Sequence, residues 1–297
     1  MDKFIDTFPA FLKYWAGAEN QPVEEQIEGW ARDYMAAWPA LLKMQVDDYT
    51  SQMLDWRQVA RERVFPHLGE RLPAMQAART ALLETCQPVL DKARQCLGCD
   101  FPVTFVIYVG IGCGAGWATR LEGKPAILLG LENIAECGWS DKETLAGLAA
   151  HETGHLVHSV WRLEAGKPVG SGPWWQLYEE GFAQACESVI LDTPRVHQTL
   201  RSSNDWLQWC QEHAGWLASE YLRAVEAGET VTKFFGSWFD IQGRSETGYY
   251  LGQVVIQELE KQRSLHAIAV LEDIEAHVRP ILEKLAGRVG TPAARAE

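Results

Sequence analysis

The sequence has no long apolar run and a shortage of basic residues. Lys and Arg number 27 against 40 Asp and Glu, which gives a formal net charge of −13. Because an acidic chain repels phosphate backbones and no basic stripe offsets this charge, we expect no nucleic-acid partner. No stretch approaches the ~18 apolar residues of a membrane span, so we expect no membrane association either.

The sequence also lacks the marks of an exported, disulfide-stabilised protein. Its first fifteen residues, MDKFIDTFPAFLKYW, interrupt their apolar positions with Asp6, Pro9 and Lys13, unlike a signal peptide. Seven cysteines, an odd number, fit reduced thiols in a cytoplasmic protein. The lone C-x-x-C of Cys96 and Cys99 has no second ligand pair and no preceding strand, so neither structural zinc nor redox chemistry is expected there.

Helices are predicted for the first hundred residues. Apolar residues recur at three-to-four spacing from Ile27 to Leu41, and similar patterns run over residues 47–64 and 72–96. Since no chemical motif lies in this part, we expect residues 1–100 to form a helical N-terminal region.

The pattern changes after residue 100. Residues 103–109 (VTFVIYV) are β-branched and aromatic and predict a strand, and residues 126–129 form a second short apolar run. Helical periodicity then returns from Ser140 onward. The chain is therefore predicted to be a mainly helical α+β protein with a small antiparallel or mixed sheet in a second domain, residues 101–290.

The pattern H-E-x-x-H at residues 151–155 carries the clearest chemical signal. Residues four apart share one face of a helix, so His151 and His155 can present their imidazoles to one metal ion. Glu152 then lies beside the ion, where it can act as a general base. The alternative is a chance match in a helix whose histidines are merely buried.

The flanking sequence predicts the helix that this motif requires. Ser140 followed by Glu143 forms a capping box, and apolar periodicity continues to about residue 160. Gly154 costs such a helix about 1 kcal/mol relative to alanine. We expect the helix to span residues 141–160.

A catalytic zinc ion takes a third protein ligand and keeps a position for water. A ligand six residues after the second histidine is excluded, because Trp161 stands there. Glu180, 25 positions after that histidine, lies in a second helix predicted for residues 178–191 and can offer a carboxylate to the ion. Glu179 is the rival ligand, and Glu187 could orient a histidine.

Together, HETGH and the later Tyr-Glu-Glu-Gly-Phe-Ala at residues 178–183 resemble the gluzincin metallopeptidases. The resemblance implies that Glu180 is the third ligand of a Zn²⁺ cofactor in a zincin-like core. It also implies that a peptide or protein is the substrate, and that Glu152 takes a proton from the metal-bound water and returns it to the leaving amine.

The Tyr-Tyr-Leu-Gly at residues 249–252 resembles the Tyr-x-x-Gly of leucyl-aminopeptidase-like gluzincins. The resemblance implies that Tyr249, with Tyr250 as the alternative, stabilises the tetrahedral intermediate. The order of motifs over residues 101–260 is also similar to the bacterial YjaZ-like family of predicted Zn-dependent proteases. The alternative function is a zinc-containing peptide-binding or chaperone-like protein, against which the presence of Glu152 argues, since zinc binding does not need it.

The glycine-rich segment after the first strand fits a different motif on paper. Residues 110–115 match G-x-G-x-x-A, and Glu132 stands 22 positions after the first glycine, as in dinucleotide-binding folds. That fingerprint needs a helix directly after the glycines, and Gly116, Gly123 and Pro125 leave no room for one. A hairpin is predicted instead.

The resemblance gives two further substrate-binding expectations. In gluzincins an edge strand above the zinc pairs with an extended peptide, and Gly112, Gly114 and Gly116 would let a peptide backbone approach closely; the alternative is a flexible turn. The Gly-Leu-Glu-Asn at residues 130–133 is similar to the G-x-M-E-N of aminopeptidases, which implies that Glu132 holds a substrate amine. This match has Leu in place of Met, and Glu132 could instead serve the following helix.

Overall fold

The computed structural model describes residues 1–193, 205–236 and 238–287. The chain divides into two compact units, Met1–Leu156 and Val157–Glu297. The boundary falls inside one continuous helix, so this helix contributes residues to both units. The predicted fold class is confirmed: the protein is mainly helical, with one small mixed sheet.

The first unit contains a four-stranded sheet. Its strands are β1 (Lys3–Asp6), β2 (Thr104–Tyr108), β3 (Gly116–Leu121) and β4 (Lys124–Gly130). The strand order is β1-β2-β4-β3, in which β1–β2 and β2–β4 are parallel and β3–β4 is an antiparallel hairpin. Both apolar runs expected to be strands lie in the central strands β2 and β4, whose residues are mostly buried, and β3 forms an outer edge.

Only helices were predicted for the first hundred residues, so the strand β1 was missed. It is only four residues long and pairs with β2, from Lys3 opposite Thr104 to Asp6 opposite Ile107. Asp2 fixes this pairing, because its carboxylate accepts the backbone N–H of Val103 and binds the guanidinium of Arg94 2.6 Å away. The same guanidinium holds the pKa of the Asp2 carboxyl well below its usual range.

Helices between β1 and β2 and after β4 make up most of the first unit. They are α1 (Phe8–Ala18), α2 (Val23–Gly29), α3 (Pro39–Ser51), α4 (Trp56–Val59), α5 (Leu68–Leu97) and α6 (Leu131–Glu136). The prediction of continuous helix over residues 47–64 is wrong, since Met53 adopts a positive φ of 57° and Asp55 caps a new helix through the N–H of Arg57. The prediction for residues 72–96 is confirmed within α5.

The helix that carries HETGH is α7 (Lys142–Glu164). It begins one residue later than expected and runs four residues further. The capping box predicted at Ser140 is wrong: Asp141 supplies the cap, because its Oδ1 accepts the backbone N–H of Thr144 at 2.8 Å. Both Ser and Asp are good capping residues, so their order alone could not decide which one caps.

Six further α-helices follow in the described part of the second unit. They are α8 (Pro173–Leu191), α9 (Trp206–Glu212), α10 (Ala214–Glu226), α11 (Thr247–Glu260), α12 (Leu265–Ala269) and α13 (Ile274–Leu285). The helix predicted for residues 178–191 is confirmed as α8, but it begins at Pro173, five residues earlier than expected. Gly172, at a φ of 87°, ends the preceding loop, and Pro173 occupies the first turn, where its missing N–H costs nothing.

Candidate metal site

Helix α7 brings the two motif histidines together. The Nε2 atoms of His151 and His155 lie 3.1 Å apart, and their rings stand at 77° to each other. Two nitrogen ligands at ~2.0–2.1 Å from a tetrahedral ion would be about 3.3 Å apart. The observed spacing therefore fits two ligands of a single ion, as the helical spacing predicts.

A carboxylate from helix α8 completes the group. Ligand atoms of His151, His155 and Glu180 all lie within 4.8 Å of one another. His151 is buried, and the other two side chains are half-buried. These three side chains form a group that can hold a metal ion, and two imidazoles with one carboxylate leave a coordination position for water. Within the described residues, the group contains Glu180 rather than its rival Glu179.

A close helix crossing explains the glycine that follows Glu180. A Cβ on Gly181 would lie 2.2 Å from the backbone oxygen of Gly252, and one on Gly252 would lie 2.6 Å from the backbone oxygen of Leu177. The backbones of α8 and α11 are therefore in direct contact. Only glycine fits on both sides, so the glycines of E-G-F-A and Y-Y-L-G fix the position of the helix that carries Glu180.

The carboxylate of Glu152 is held against the edge strand β3. Its Oε2 accepts the backbone N–H of Ala118 at 2.8 Å, and the side chain is 7% exposed. A Cβ on Gly116 would lie 2.4 Å from Oε1 of Glu152. Gly116 is therefore required by the glutamate itself, a relation that nothing in the sequence indicated.

Strand β3 pairs with β4 on one side, and its other edge has no neighbouring strand in the described sheet. Because the N–H of Ala118 donates to Glu152, it does not pair with β4. Backbone groups alternate in direction along an antiparallel strand, so those of Gly116 and Arg120 share the outward direction of Ala118.

Glu132 lies inside the first unit with 1% exposure. Its Oε2 accepts the backbone N–H of Gly110 at 2.7 Å, and its Oε1 accepts that of Gly112 at 3.2 Å. Burial is the main cause that raises the pKa of this carboxyl to about 7. These contacts favour the interpretation that Glu132 holds the glycine-rich segment; its role towards a substrate amine stays a prediction.

The glycine-rich segment has a defined backbone. Gly112 and Gly114 have φ values of 91° and 150°, which side-chain-bearing residues rarely adopt. The sequence predicts that these glycines admit a substrate, and that prediction stays untested; the backbone conformation is sufficient reason for glycine at both positions. The segment leads into β3 and not into a helix, as the hairpin interpretation requires.

The N-terminal helical region also holds this segment. The indole N–H of Trp30 donates to the carbonyl of Val109 at 3.0 Å, and the Tyr34 hydroxyl accepts the N–H of the same residue at 3.1 Å. The Tyr49 hydroxyl donates to the carbonyl of Ile111 at 2.8 Å. Sequence reasoning missed these residues, because polar tips on otherwise apolar core positions give no pattern that names their partners.

Tyr249 lies in the first turn of α11. It is half-buried, whereas Tyr250 is 8% exposed. Its backbone carbonyl accepts the side-chain amide of Gln184 at 2.6 Å, and Gln184 is one turn beyond Glu180 on α8. This bond and the glycine crossing tie the predicted oxyanion-stabilising residue to α8, the helix that carries Glu180.

His158, one turn beyond His155, occupies an aromatic enclosure. Its ring stacks on Phe182 and Trp175 at centroid distances of 4.6 and 5.2 Å, and its Nε2 lies 3.3 Å from the hydroxyl of Tyr178. Glu187, expected to be able to orient a histidine, is 1% exposed. Helix α7 is therefore anchored through His158 to residues of α8 near Glu180.

Comparisons with known proteins give no family assignment: no family model, curated protein or solved structure matches the chain. None of the described helices is long and apolar enough to cross a membrane. All seven cysteines lie in the described ranges, and no disulfide joins them.

Proposed function

We propose that this protein is a zinc-dependent peptidase. The observation that carries the proposal is the convergence of His151, His155 and Glu180, with Glu152 next to the first histidine on the same helix. This donor set resembles the two imidazoles and one carboxylate of catalytic zinc sites, which keep a position for water. The acidic side chain beside the ligands supplies the base that hydrolysis requires.

Each residue then has a distinct task. When bound, zinc supplies an acidified water and polarises the scissile carbonyl. Glu152 accepts the proton of that water and passes it to the leaving amine. The N–H of Ala118 engages only one oxygen of Glu152, so it fixes the orientation of the carboxylate while the other oxygen takes the proton.

Two further groups serve the substrate. The outward backbone groups of Gly116 and Arg120 on β3 can pair with an extended peptide as an added strand, while the N–H of Ala118 between them is taken by Glu152. Tyr249 would donate a hydrogen bond to the oxyanion, an effect of roughly 3 kcal/mol where such donors have been removed from other enzymes.

The test of this function separates catalysis from metal binding. Zinc-loaded protein is incubated with a mixed peptide library, and the products are identified by mass spectrometry. Glu152→Gln should keep about one zinc per chain and lose cleavage by about 100- to 10,000-fold, the range typical of general bases. Zinc binding without any cleavage by the unsubstituted protein would refute the peptidase proposal and favour a zinc-containing peptide-binding protein.

A further inference from the structure

A cavity of about 560 Å³ adjoins the third residue of the candidate metal group. Glu180 forms part of its wall, together with the loop before α8 and residues 229–231. Its volume is within the range of sites that take small ligands. Since α8 supplies both Glu180 and this wall, a molecule in the cavity lies next to the metal group.

A tight contact between this loop and Trp175 shapes one side of the cavity. A Cβ on Gly170 would lie 2.3 Å from the indole ring of Trp175, so only glycine fits where the loop crosses the ring. Trp175 is itself 6% exposed, and the ring of His158 stacks on it at a centroid distance of 5.2 Å. The cavity wall is therefore built on buried, packed side chains.

Gln176 presents a side-chain amide in this wall. It precedes Glu180 by one helical turn, so the two side chains lie on the same face of α8 with Cβ atoms about 5–6 Å apart. Gln176 is half-buried, and its side chain makes no hydrogen bond within the part of the chain that the structure describes. The amide can therefore donate and accept at the same time to a ligand in the cavity.

The wall offers no cation to a ligand. Glu179, Glu180 and Glu229 line the cavity, and none of the described lining residues is Lys or Arg. Arg223 contacts the wall from outside, where its guanidinium binds the carboxylate of Glu229 at 2.8 Å. A free carboxylate in the cavity would lose water without gaining a cationic partner, whereas a neutral peptide group can form hydrogen bonds with Gln176.

We infer that this cavity binds a neutral peptide group of the substrate next to the scissile bond, through the side-chain amide of Gln176. An extended peptide advances about 3.3 Å per residue, so the spacing from Glu180 to Gln176 corresponds to roughly one to two residues. The inference rests on the proposed function and names its substrate class. The substrates are peptides that continue past the scissile bond, not peptides that end beside it in a free carboxylate.

The test compares two matched probes on zinc-loaded protein by calorimetry. N-hydroxysuccinamic acid and its N-methylamide share the same metal-binding hydroxamate and differ only at the other end, which is a carboxylate in one and a peptide group in the other. The methylamide should bind about tenfold more tightly than the acid. In Gln176→Met, which keeps the length of the side chain but lacks its amide, the methylamide should lose about tenfold in affinity.

Two controls separate this site from the metal and from general effects of substitution. Acetohydroxamate binds the metal without reaching along the wall, and its affinity should be the same in Gln176→Met as in the unsubstituted protein. The zinc content should also be the same. Gln257→Met removes an exposed amide from α11 outside the cavity wall and should keep the preference for the methylamide.

Equal or tighter binding of the acid to the unsubstituted protein would overturn the inference. So would a methylamide affinity that survives in Gln176→Met. A methylamide preference that depends on Gln176, in protein that binds zinc but cleaves no peptide, would support the binding site while the peptidase proposal fails. If the protein takes up no zinc, both the proposed function and this inference fall.

Discussion

At the scale of single residues, the buried carboxyl of Glu132 lies near a buried amide oxygen. Its Oε1 and the Oε1 of Gln45 both lie within 2.7 Å of the point where a Cβ on Gly110 would be. Among the described residues, Gln45 Oε1 has no hydrogen-bond partner. Protonation of Glu132 removes a negative charge from this buried site, whereas ionisation keeps the charge there.

This carboxyl should make stability depend on pH. Its pKa is about 7 in the folded protein against 4.5 for an ordinary glutamate, because burial outweighs the N–H groups of Gly110 and Gly112. Between these two values the folded state holds the proton that the unfolded state has lost. The contribution of Glu132 to the free energy of unfolding therefore falls as pH rises from about 4.5 to about 7.

The substitution Glu132→Gln removes the ionisable group, and its amide leaves one acceptor oxygen in place of two for the N–H groups of Gly110 and Gly112. We expect the stability of the variant relative to the unsubstituted protein to rise by up to about 3 kcal/mol between pH 4 and pH 8. The lost acceptor shifts the two curves by an amount that does not depend on pH. Urea unfolding from pH 4 to 8 measures both curves, and curves that stay parallel throughout would contradict the assigned ionisation.

A second prediction at this scale concerns Gly116. In Gly116→Ala the added Cβ would meet Oε1 of Glu152 at 2.4 Å and push the carboxylate from its place beside Ala118. Cleavage should fall by about 100-fold, since small displacements of reacting groups have effects of that size. Zinc affinity should be unchanged. Gly17→Ala is the control, because a Cβ there meets no atom within 4 Å; an equal loss in the control, or full activity in Gly116→Ala, would argue against this role.

At the scale of elements, the crossing of α8 and α11 determines where Glu180 lies. The two helices touch through Gly181 and Gly252, and Gln184 adds a hydrogen bond to the first turn of α11. Gly181 and Gly252 take no part in the proposed reaction, but the close contact of the two helix backbones requires glycine at both positions. The place of Glu180 in the candidate metal group therefore depends on this packing.

Widening this crossing should affect both stability and metal binding. The Cβ of Gly252→Ala would lie 2.6 Å from the carbonyl oxygen of Leu177 and 2.9 Å from the N–H nitrogen of Gly181. We expect a loss of about 1–3 kcal/mol in the metal-free protein, as for other overpacked contacts, and weaker zinc binding. Chemical unfolding with chelator and zinc titration measure the two effects. Unchanged values in both would show that the helices do not depend on this contact.

Elements that form from local patterns could be predicted from the sequence, whereas those that depend on contacts between distant segments could not. HETGH and the two apolar central strands follow from local spacing, which side-chain periodicity makes visible. The choice of Glu180 over Glu179 comes from the resemblance to the gluzincins. The strand β1 and the contact of Glu152 with Ala118 depend on pairing between distant segments, and four residues or a single N–H leave no periodic signal. The capping-box pattern also placed the N-terminal cap of α7 one residue too early, at Ser140 instead of Asp141.

At the scale of the whole molecule, the helical region of the first hundred residues belongs to the same compact unit as the sheet. Trp30, Tyr34 and Tyr49 fasten the segment between β2 and β3, and β3 in turn holds Glu152. This region carries no motif of its own. Its contribution to the proposed chemistry is to position the edge strand on which the carboxylate rests.

The central claim is that His151, His155 and Glu180 together hold one zinc ion. The direct measurement is the metal content, by inductively coupled plasma mass spectrometry, of protein purified without chelator. The unsubstituted protein and Glu179→Gln should contain about one zinc per chain, and His151→Ala and Glu180→Ala should contain almost none. Zinc retained in Glu180→Ala would contradict the third ligand, and an unsubstituted protein that neither contains nor takes up metal would contradict the site itself.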